Sequence, residues 1–240
     1  MKKLQRTEAG ANKPAEPFTQ GMRLMSFFLE CPLETISTPL HPVLNVVLIQ
    51  GRLQLCTEKA VYSFSDLYTN FRSAFRALRI RQLPISNVLL LGLGLGSIPE
   101  LLEKKFGRRY HYTCVEIDEG IIDLARRYTL RRLESPFEII CADAARFVAQ
   151  TPSKYDLICA DVFIDDQIPD QTQSLDFFEH LRRICAQNGL ILFNCFALET
   201  SDQAKAQALF EERFARVFPG ATYLDVKTNW ILINDKKFLL

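Results

Sequence analysis

A glycine-rich turn is the first feature of this sequence whose residue types suit chemistry. Positions 92–97 read GLGLGS, follow a short apolar run and precede a segment with helical character. Glycines let the backbone approach a ligand closely, and the start of a helix offers N–H groups without partners in the helix. The dinucleotide fingerprint G-x-G-x-x-G would require glycine at position 97, where Ser97 stands. The turn therefore predicts a nucleoside ligand that has no pyrophosphate.

Three acidic residues follow apolar runs and complete the candidate ligand site. Glu116 follows Gly96 by 20 residues and ends the second predicted strand, where a carboxylate can accept hydrogen bonds from both ribose hydroxyls. Asp143 and Asp161 follow further runs and are expected at the same, carboxyl edge of the sheet. Asp143 is suited to accept from the amino group of an adenine ring, and Asp161 to lie at the reacting end of the ligand. Asp118 is interpreted as a helix cap.

From position 87 onward the sequence alternates between apolar runs and amphipathic segments. The runs predict five strands, at Val88–Leu91, Tyr112–Ile117, Phe137–Cys141, Tyr155–Ala160 and Leu190–Phe196. Two later runs, ATYLDV and NWILIN, are close enough to form a hairpin. Buried strands joined by helices indicate an α/β fold with a doubly wound, mainly parallel Rossmann-like sheet and an antiparallel C-terminal strand.

The amphipathic segments carry helix signals at their ends. Ser97 with Glu100, and Asp176 with Glu179, have the spacing of a capping box. Gly107 is placed to end the helix that follows the glycine-rich turn. Four further helices are predicted over 64–78, 120–133, 176–186 and 203–218.

The N-terminal quarter of the chain has a different pattern. Its short β-rich runs are broken by Pro42 and by Gln50-Gly51, which favours two to four antiparallel strands in a small hairpin region. The first residues are polar and are expected to form a loose tail. The predicted organisation is a flexible tail over 1–20, a β-strand extension over 21–63 and a Rossmann-like domain over 64–240.

Composition and charge are those of an ordinary globular protein. Of the 240 residues 48% are hydrophobic and 24% charged, and 29 Lys and Arg against 28 Asp and Glu give a net charge of +1. This balance gives no reason to expect a nucleic acid or a membrane surface as partner, and no run approaches the roughly 20 apolar residues of a membrane span. Seven cysteines without a C-x-x-C pair and three scattered histidines predict a cytoplasmic protein without a metal centre.

The residues around the candidate site form four motifs, which read VLLLGLGLGS, CVEID, CADAARFV and YDLICADVF. In this order and spacing they resemble the class I S-adenosylmethionine-dependent methyltransferase fold, and within it the spermidine synthase-like family. The run VLNVVLIQGRLQLCTEKAVYSFSDLY is similar to the family's N-terminal strand pairs and first helix. The resemblance implies S-adenosylmethionine or its decarboxylated form as cofactor, a small-molecule acceptor and a homodimer. The cofactor-binding residues it implies are Gln54, Gly92, Gly94, Gly96, Glu116, Ile117, Asp143, Ala144 and Asp161.

The sequence departs from spermidine synthases at three places. Leu95 stands where the family's glycine-rich loop carries an aspartate that holds the amino end of the donor. The family reads D-S-S-D after the fourth strand, and its second aspartate receives the amine proton. Positions 161–164 read DVFI here, with Asp165 and Asp166 displaced by one and two residues. The family's Tyr-His-Glu aligns with Phe-Ser-Asp at positions 64–66.

These features lead to a ranked set of functional hypotheses. Five carboxylates between Asp161 and Asp176 form a loop that can attract a cationic amine, and we predict Asp161 and Asp165 as catalytic residues, with Asp165 as the base. The main hypothesis is a spermidine synthase-like methyltransferase that acts on a small acceptor. The alternatives are a polyamine aminopropyltransferase, which would use decarboxylated S-adenosylmethionine, and a non-catalytic binding protein with the same fold. Ser97 disfavours an NAD-dependent dehydrogenase.

Overall fold

A computed structural model describes residues 16–57, 60–164 and 167–240, together with the backbone of residues 2–4. The strands of this part of the chain are β1 (Lys2–Leu4), β2 (Cys31–Ile36), β3 (Leu44–Ile49), β4 (Arg52–Cys56), β5 (Val61–Ser63), β6 (Asn87–Leu91), β7 (His111–Glu116), β8 (Phe137–Cys141), β9 (Tyr155–Ala160), β10 (Cys185–Phe196), β11 (Thr222–Asp225) and β12 (Asn229–Ile233). The helices are α1 (Gln20–Met25), α2 (Thr69–Ala77), α3 (Ser97–Lys104), α4 (Glu119–Tyr128), α5 (Ala144–Gln150), α6 (Leu175–Ile184), α7 (Thr200–Leu209) and α8 (Ala215–Val217). A π-helical turn, Phe210–Phe214, joins the last two helices.

The larger sheet has eight strands in the order β1-β8-β7-β6-β9-β10-β12-β11. The five strands from β8 to β10 are parallel to one another. At one edge β12 pairs antiparallel with β10 and β11 with β12, and at the other edge β1 pairs antiparallel with β8. The predicted mainly parallel sheet with an antiparallel C-terminal finish is thus confirmed. Strand β1 lies within the segment predicted as a flexible tail.

The central strands are buried on both faces, which explains why their sequences are apolar without alternation. In β6, Val88 and Leu90 pack into the apolar cluster on one face, and Leu89 and Leu91 into the cluster on the other. Each of these four side chains is at most 1% exposed. Helices therefore cover both sides of the sheet and leave its carboxyl edge as the place for a site. Within the described residues, no helix is long and apolar enough to span a membrane.

The N-terminal strands form a second, four-stranded antiparallel sheet in the order β2-β3-β4-β5. This is the upper limit of the two to four strands that the sequence predicts. Leu44 and Leu53 of this sheet pack in one apolar cluster with Leu95 of the glycine-rich turn and with Leu124 of α4. The second sheet is therefore fixed against the residues that shape the carboxyl edge of the first.

Several helix boundaries differ from those predicted. The helix expected over 64–78 is α2, Thr69–Ala77, and a short 3-10 turn at Ser65–Leu67 precedes it. Ser65 has a φ of 40°, which a continuous right-handed helix does not allow. The helix expected over 120–133 ends at Tyr128, and a separate 3-10 turn follows at Leu130–Arg132.

The helices after β9 also begin at other residues than predicted. The N-cap of α6 is Ser174, whose hydroxyl accepts a hydrogen bond from the Phe177 N–H at 3.1 Å, so Asp176 lies within the first turn. The helix expected from position 203 begins at Thr200, because Glu199 and Asp202 form a capping box there. In both cases a residue upstream of the predicted start satisfies the first free N–H groups.

Candidate functional site

The glycine-rich turn and the predicted acids line one cavity of about 510 Å³, a size typical of small-molecule sites. It lies at the carboxyl ends of the central strands, where β6 has β7 on one side and β9 on the other. Open α/β sheets bind ligands at this reversal of strand order. Eight of the nine residues implied as cofactor-binding line it: Gln54, Gly92, Gly94, Glu116, Ile117, Asp143, Ala144 and Asp161.

The glycines of the turn meet different neighbours. Gly92 has a φ of 84°, and a Cβ atom there would lie 2.1 Å from the carbonyl oxygen of Asp161. Gly94 has a φ of 51° and approaches the Tyr62 carbonyl oxygen, to which a Cβ would be 3.0 Å distant. Gly96 does not line the cavity, because it faces Leu130, whose Cδ2 atom would lie 2.8 Å from a Cβ. Gly92 and Gly94 therefore shape the wall of the cavity, whereas Gly96 makes room for the turn that follows α4.

Ser97 is not a helix cap, in contrast to the prediction. Gly96 is the N-cap of α3, and Ser97 is its first helical residue. The Ser97 hydroxyl lies 2.6 Å from the Ser63 hydroxyl and accepts a hydrogen bond from the Phe64 N–H at 3.1 Å. The Glu100 carboxylate pairs with Lys104 at 2.7 Å rather than with the start of the helix. Ser97 therefore joins the glycine-rich turn to the N-terminal sheet.

Glu116 presents a carboxylate that the backbone holds in place. Its Oε2 accepts from the Leu93 N–H at 2.9 Å, and its Oε1 accepts from the Ile117 N–H at 2.9 Å and the Asp118 N–H at 3.1 Å. Burial raises the pKa of the Glu116 carboxyl, and the three N–H bonds only partly oppose this effect. A carboxylate oriented in this way suits two neighbouring hydroxyls, as the sequence predicts for a ribose.

Asp143 and its neighbours form the wall beyond Glu116. The Asp143 side chain accepts from the Arg146 N–H at 2.8 Å and so caps α5, while the residue also lines the cavity. Ile117, which is 41% exposed, and Ala144 contribute apolar surface, as an adenine ring would require. Gln54 reaches the same cavity from β4 of the N-terminal sheet.

Asp161 follows β9, on the other side of β6 from Glu116, and is held by side chains. Its Oδ2 accepts from the Tyr68 hydroxyl at 2.7 Å, and its Oδ1 accepts from the Asn194 amide at 2.9 Å. Burial raises the pKa of Asp161 to about 6, although both hydrogen bonds act to lower it. Burial next to Asp161 also raises the pKa of the Tyr68 phenol well above its ordinary value. Asp161 is thus a carboxyl group that changes protonation near neutral pH.

Asn194 has a second feature at this end of the cavity. The residue is 1% exposed, lines the cavity, and its Oδ1 atom has no hydrogen-bond partner within the described structure. A buried carbonyl oxygen without a partner costs free energy, so this atom is an exception to the usual pairing of buried polar groups.

Tyr68 and Asn194 are the residues that sequence analysis misses. Tyr68 lies within the helix predicted over 64–78, but α2 begins one residue after it and leaves the phenol beside Asp161. Asp66, which aligns with the glutamate of the family's Tyr-His-Glu, binds Arg52 and lies 2.8 Å from the Lys105 ammonium. Asn194 lies inside an apolar run, and the single polar side chain within that run is the signal by which sequence analysis could have found it.

Within the described part of the acidic loop, Asp161 is the carboxylate that lines the cavity. Asp165, the predicted base, and Asp166 lie outside the described residues. Asp170 and Asp176 are exposed and do not line the cavity. The wall next to Asp161 contains Ile164, Pro169 and Phe163, whose ring packs edge-on against Phe196 with centroids 4.9 Å apart.

A buried hydrogen-bond chain lies next to Glu116. The His41 Nδ1 atom lies 2.8 Å from the Asp118 carboxylate, and its Nε2 atom lies 3.0 Å from the Tyr62 hydroxyl. Asp118 also accepts from the Thr38 hydroxyl and, at 2.8 Å, from the Gly120 N–H, which confirms its role as cap of α4. His41 and Tyr62 both line the cavity.

The family follows from the sequence match. Residues 85–232 match the spermine/spermidine synthase domain, a stretch that contains the glycine-rich turn and all three acids of the cavity. The chain belongs to the spermine/spermidine synthase domain family. This confirms the resemblance drawn from the four motifs. The N-terminal sheet, which supplies Gln54, His41 and Tyr62, lies outside the matched stretch.

Several curated relatives carry related names. A probable polyamine aminopropyl transferase of Bifidobacterium longum is 30% identical over 139 residues, which are 58% of this chain and 30% of that protein. A polyamine aminopropyltransferase of Saccharolobus islandicus is 34% identical over 119 residues, 45% of this chain and 38% of the relative. A polyamine aminopropyltransferase of Vibrio vulnificus is 26% identical over 131 residues, which are 52% of this chain and 44% of that protein. The matches span less than half the length of these relatives.

Solved structures share the fold. A spermidine synthase in complex with the transition-state analogue AdoDATO superposes with a TM-score of 0.66 at 14% identity, covering 85% of this chain and 72% of that one. A probable spermidine synthase of Corynebacterium glutamicum gives 0.63 at 20% identity, covering 84% and 78%. Human methyltransferase-like protein 13 in complex with SAH gives 0.56 at 21%, covering 71% and 85%. At these identities the likeness shows the fold alone.

Proposed function

We propose that the protein transfers an alkyl group, foremost an aminopropyl group, from a sulfonium nucleoside to the nitrogen of a small amine. The observation that carries this proposal is the Asp161 carboxylate, held by Tyr68 and Asn194 at one end of a nucleoside-sized cavity. Membership of the spermine/spermidine synthase domain family supports it, as do relatives named polyamine aminopropyltransferases. Decarboxylated S-adenosylmethionine is accordingly the favoured donor.

The residues of the nucleoside side fit such a donor. The Glu116 carboxylate, fixed by three N–H groups, would accept from the two ribose hydroxyls. Asp143 would accept from the adenine amino group, between Ile117 and Ala144. Gly92 and Gly94 leave room for the donor against the backbone of the turn. Gln54 would contact the donor from the N-terminal sheet.

At the reacting end the chain's task is to orient an amine and take up its proton. The donor supplies a carbon activated by positive sulfur, to which the amine nitrogen bonds as the carbon–sulfur bond breaks. Asp161, with a pKa of about 6, is a carboxylate at pH 8 and can receive the released proton. The Tyr68 hydroxyl fixes one oxygen of the Asp161 carboxylate, and the Asn194 amide fixes the other. The sulfonium is already a good leaving group, so the protein does not have to activate it. Its contribution to the rate is to hold the amine in the orientation for attack.

Transfer of a methyl group from S-adenosylmethionine itself is the second candidate. It was the main hypothesis from the sequence, and one observation favours it. The glycine-rich turn carries no acid: Leu95 is 2% exposed and packs into the apolar cluster of the N-terminal sheet. A donor that keeps its own carboxylate would meet no repulsion there. The named relatives favour the aminopropyl group.

A donor and acceptor assay tests the proposal. The purified chain is given S-adenosylmethionine or its decarboxylated form with putrescine, spermidine or a monoamine, and products are identified by mass spectrometry. We expect an aminopropylated amine and methylthioadenosine. Calorimetry with S-adenosylmethionine, S-adenosylhomocysteine and methylthioadenosine gives the affinities, and binding of none of the three contradicts the proposal. Binding without any product would instead favour the non-catalytic hypothesis.

The remaining expectations concern partners. A small-molecule acceptor agrees with the cavity volume of about 510 Å³. The homodimer implied by the resemblance, the absence of a nucleic-acid partner and the cytoplasmic location stay predictions. Sedimentation of the purified chain tests the first of these.

A further inference from the structure

The buried chain Tyr62–His41–Asp118 has a defined direction. Asp118 accepts from Thr38, His41 and Gly120, and these bonds hold the pKa of its carboxyl below the ordinary value although burial acts to raise it. Because the carboxylate can only accept, the Nδ1 atom of His41 carries the hydrogen of that contact. In a neutral imidazole the Nε2 atom is then an acceptor, so it receives the hydrogen of the Tyr62 hydroxyl. The chain of donors runs from Tyr62 through His41 to Asp118.

This direction determines what Tyr62 can offer to the cavity. Since its hydrogen is used towards His41, the phenol oxygen can act towards a ligand only as an acceptor. A ligand that meets it there must bring a donor, such as a hydroxyl group. At the other end of this hydrogen-bond chain, Asp118 lies in the turn that holds Glu116, because the Asp118 N–H donates to the Glu116 carboxylate at 3.1 Å.

The N-terminal sheet is held close enough for this chain to be rigid. A Cβ atom at Gly120 would lie 2.5 Å from the Thr38 side chain, so the loop that carries Thr38 and His41 packs directly on the start of α4. His41 is 2% and Asp118 3% exposed, which shields their hydrogen bonds from water. The three residues come from the loop after β2, from β5 and from the turn after β7.

We propose that His41 is a positioning residue for the donor nucleoside, acting through the Tyr62 hydroxyl. His41 fixes the Tyr62 oxygen as an acceptor for a hydroxyl of the donor, on the same side of the cavity as Glu116. The proposal rests on the proposed function, since it assumes that the cavity holds a nucleoside. It assigns to the N-terminal sheet a share of donor binding.

A double-mutant cycle in the full chain tests this role. Tyr62→Phe removes the acceptor oxygen, and we expect the affinity for S-adenosylhomocysteine and methylthioadenosine to fall about fivefold to tenfold, as for one lost hydrogen bond. His41→Asn keeps a donor to Asp118 but is too short to reach Tyr62, and we expect a similar loss. The double variant should bind no more weakly than Tyr62→Phe alone. The donor KM should rise by the same factor, with kcat changed less than twofold.

Two further variants separate positioning from general stability. His41→Gln can place its amide near the former Nε2 position, so it should bind the nucleosides more tightly than His41→Asn. Thr35→Val removes one exposed hydrogen bond of the same sheet, to Asn45 at 2.7 Å, and should leave both affinities unchanged. Thermal melting reports whether each variant is folded.

The possible outcomes separate the role of His41 from the proposed function. Independent, multiplying effects of His41→Asn and Tyr62→Phe would show that His41 does not act through Tyr62. A folded Tyr62→Phe variant with unchanged affinity also overturns the role, and it does so even where the His41 variants fail to fold. A native chain that binds none of the nucleosides contradicts the proposed function itself.

Discussion

The two ends of the cavity hold their carboxylates by different means. At the nucleoside end, Glu116 is fixed by three backbone N–H groups. At the reacting end, Asp161 is fixed by two side chains, Tyr68 and Asn194, from distant parts of the sequence. Among substitutions only proline removes a backbone N–H donor, whereas each side-chain donor depends on the identity of a single residue. The orientation of Glu116 is therefore insensitive to most substitutions of the residues that hold it, whereas the orientation of Asp161 depends on two side chains.

The largest expected effect is a loss of stability at the contact between Gly92 and Asp161, which joins the two ends of the cavity. Gly92→Ala would place a Cβ 2.1 Å from the Asp161 carbonyl oxygen, and backbone cannot yield as a flexible side chain can. We expect a loss of more than about 3 kcal/mol in the free energy of unfolding, measured by urea titration. Gly107→Ala is the control, because its φ of 66° carries the same backbone penalty while no atom lies within 4 Å of the new Cβ. A loss of only about 1–2 kcal/mol in both variants would show that the contact yields.

The reacting end alone should be lost with Asp161→Asn. The amide cannot receive a proton, so kcat should fall by a factor of about 10² to 10⁴, while the affinity for methylthioadenosine changes only a few-fold. Single-turnover kinetics and calorimetry measure the two quantities. Asp170→Asn, an exposed carboxylate of the following loop, should leave both unchanged. An Asp161→Asn variant that keeps its native kcat would remove the acid from the proposed chemistry.

Glu116→Gln should show the reverse split at the nucleoside end. One of the two glutamine positions is an NH₂ group, which faces backbone N–H donors and can no longer accept from a hydroxyl. The affinity for S-adenosylhomocysteine should fall about 10- to 100-fold, with a smaller change in kcat at saturating donor. Glu103→Gln is a matched control, because its carboxylate also accepts backbone N–H groups, from Glu134 and Ser135, but lies away from the cavity. Equal losses in kcat and in affinity would contradict the prediction that Glu116 acts mainly in donor binding.

The smallest effect is a shift in the pH dependence of the reacting end. Turnover should fall as the pH decreases through about 6, because protonated Asp161 cannot accept the amine proton. The Tyr68 hydrogen bond lowers the pKa of Asp161, so Tyr68→Phe should raise that pKa and move the acid limb to higher pH. The profile of kcat against pH measures this, with Tyr223→Phe, on β11 and stacked on Trp230, as control. A shift to lower pH would contradict the assigned direction of the bond.

The nucleoside end could be predicted from sequence because its parts are local. The glycine-rich turn, Glu116 and Asp143 each follow an apolar run directly, so strand patterning alone brings them to one edge. The reacting end could not be predicted, since Tyr68 reaches Asp161 only because α2 starts one residue after it. Asn194 is spaced 33 residues from its partner, inside a run that is otherwise apolar.

Local patterns also misplaced the polar residues at helix starts. Ser97 has the spacing of a capping box, yet its hydroxyl is drawn to Ser63 on the neighbouring sheet. Asp176 has the same spacing, yet Ser174 two residues earlier takes the capping role. For Ser97, a hydrogen-bond partner on another element determines where the hydroxyl points. For Asp176, a neighbouring residue that can also cap the helix takes the N-cap position. The sequence ranked methyl transfer first, whereas the named relatives favour the aminopropyl group.

The close approach of Gly92 to Asp161 has a consequence for divergence within the family. The contact is made to the main-chain carbonyl of Asp161, and the Asp161 N–H in turn donates to the Leu91 carbonyl at 2.8 Å. Position 161 is thus anchored by backbone atoms that every amino acid except proline possesses. Its side chain can be exchanged during evolution without rebuilding the donor pocket. A lineage with this architecture can change the acceptor it modifies, or abandon turnover, while inheriting the same nucleoside site.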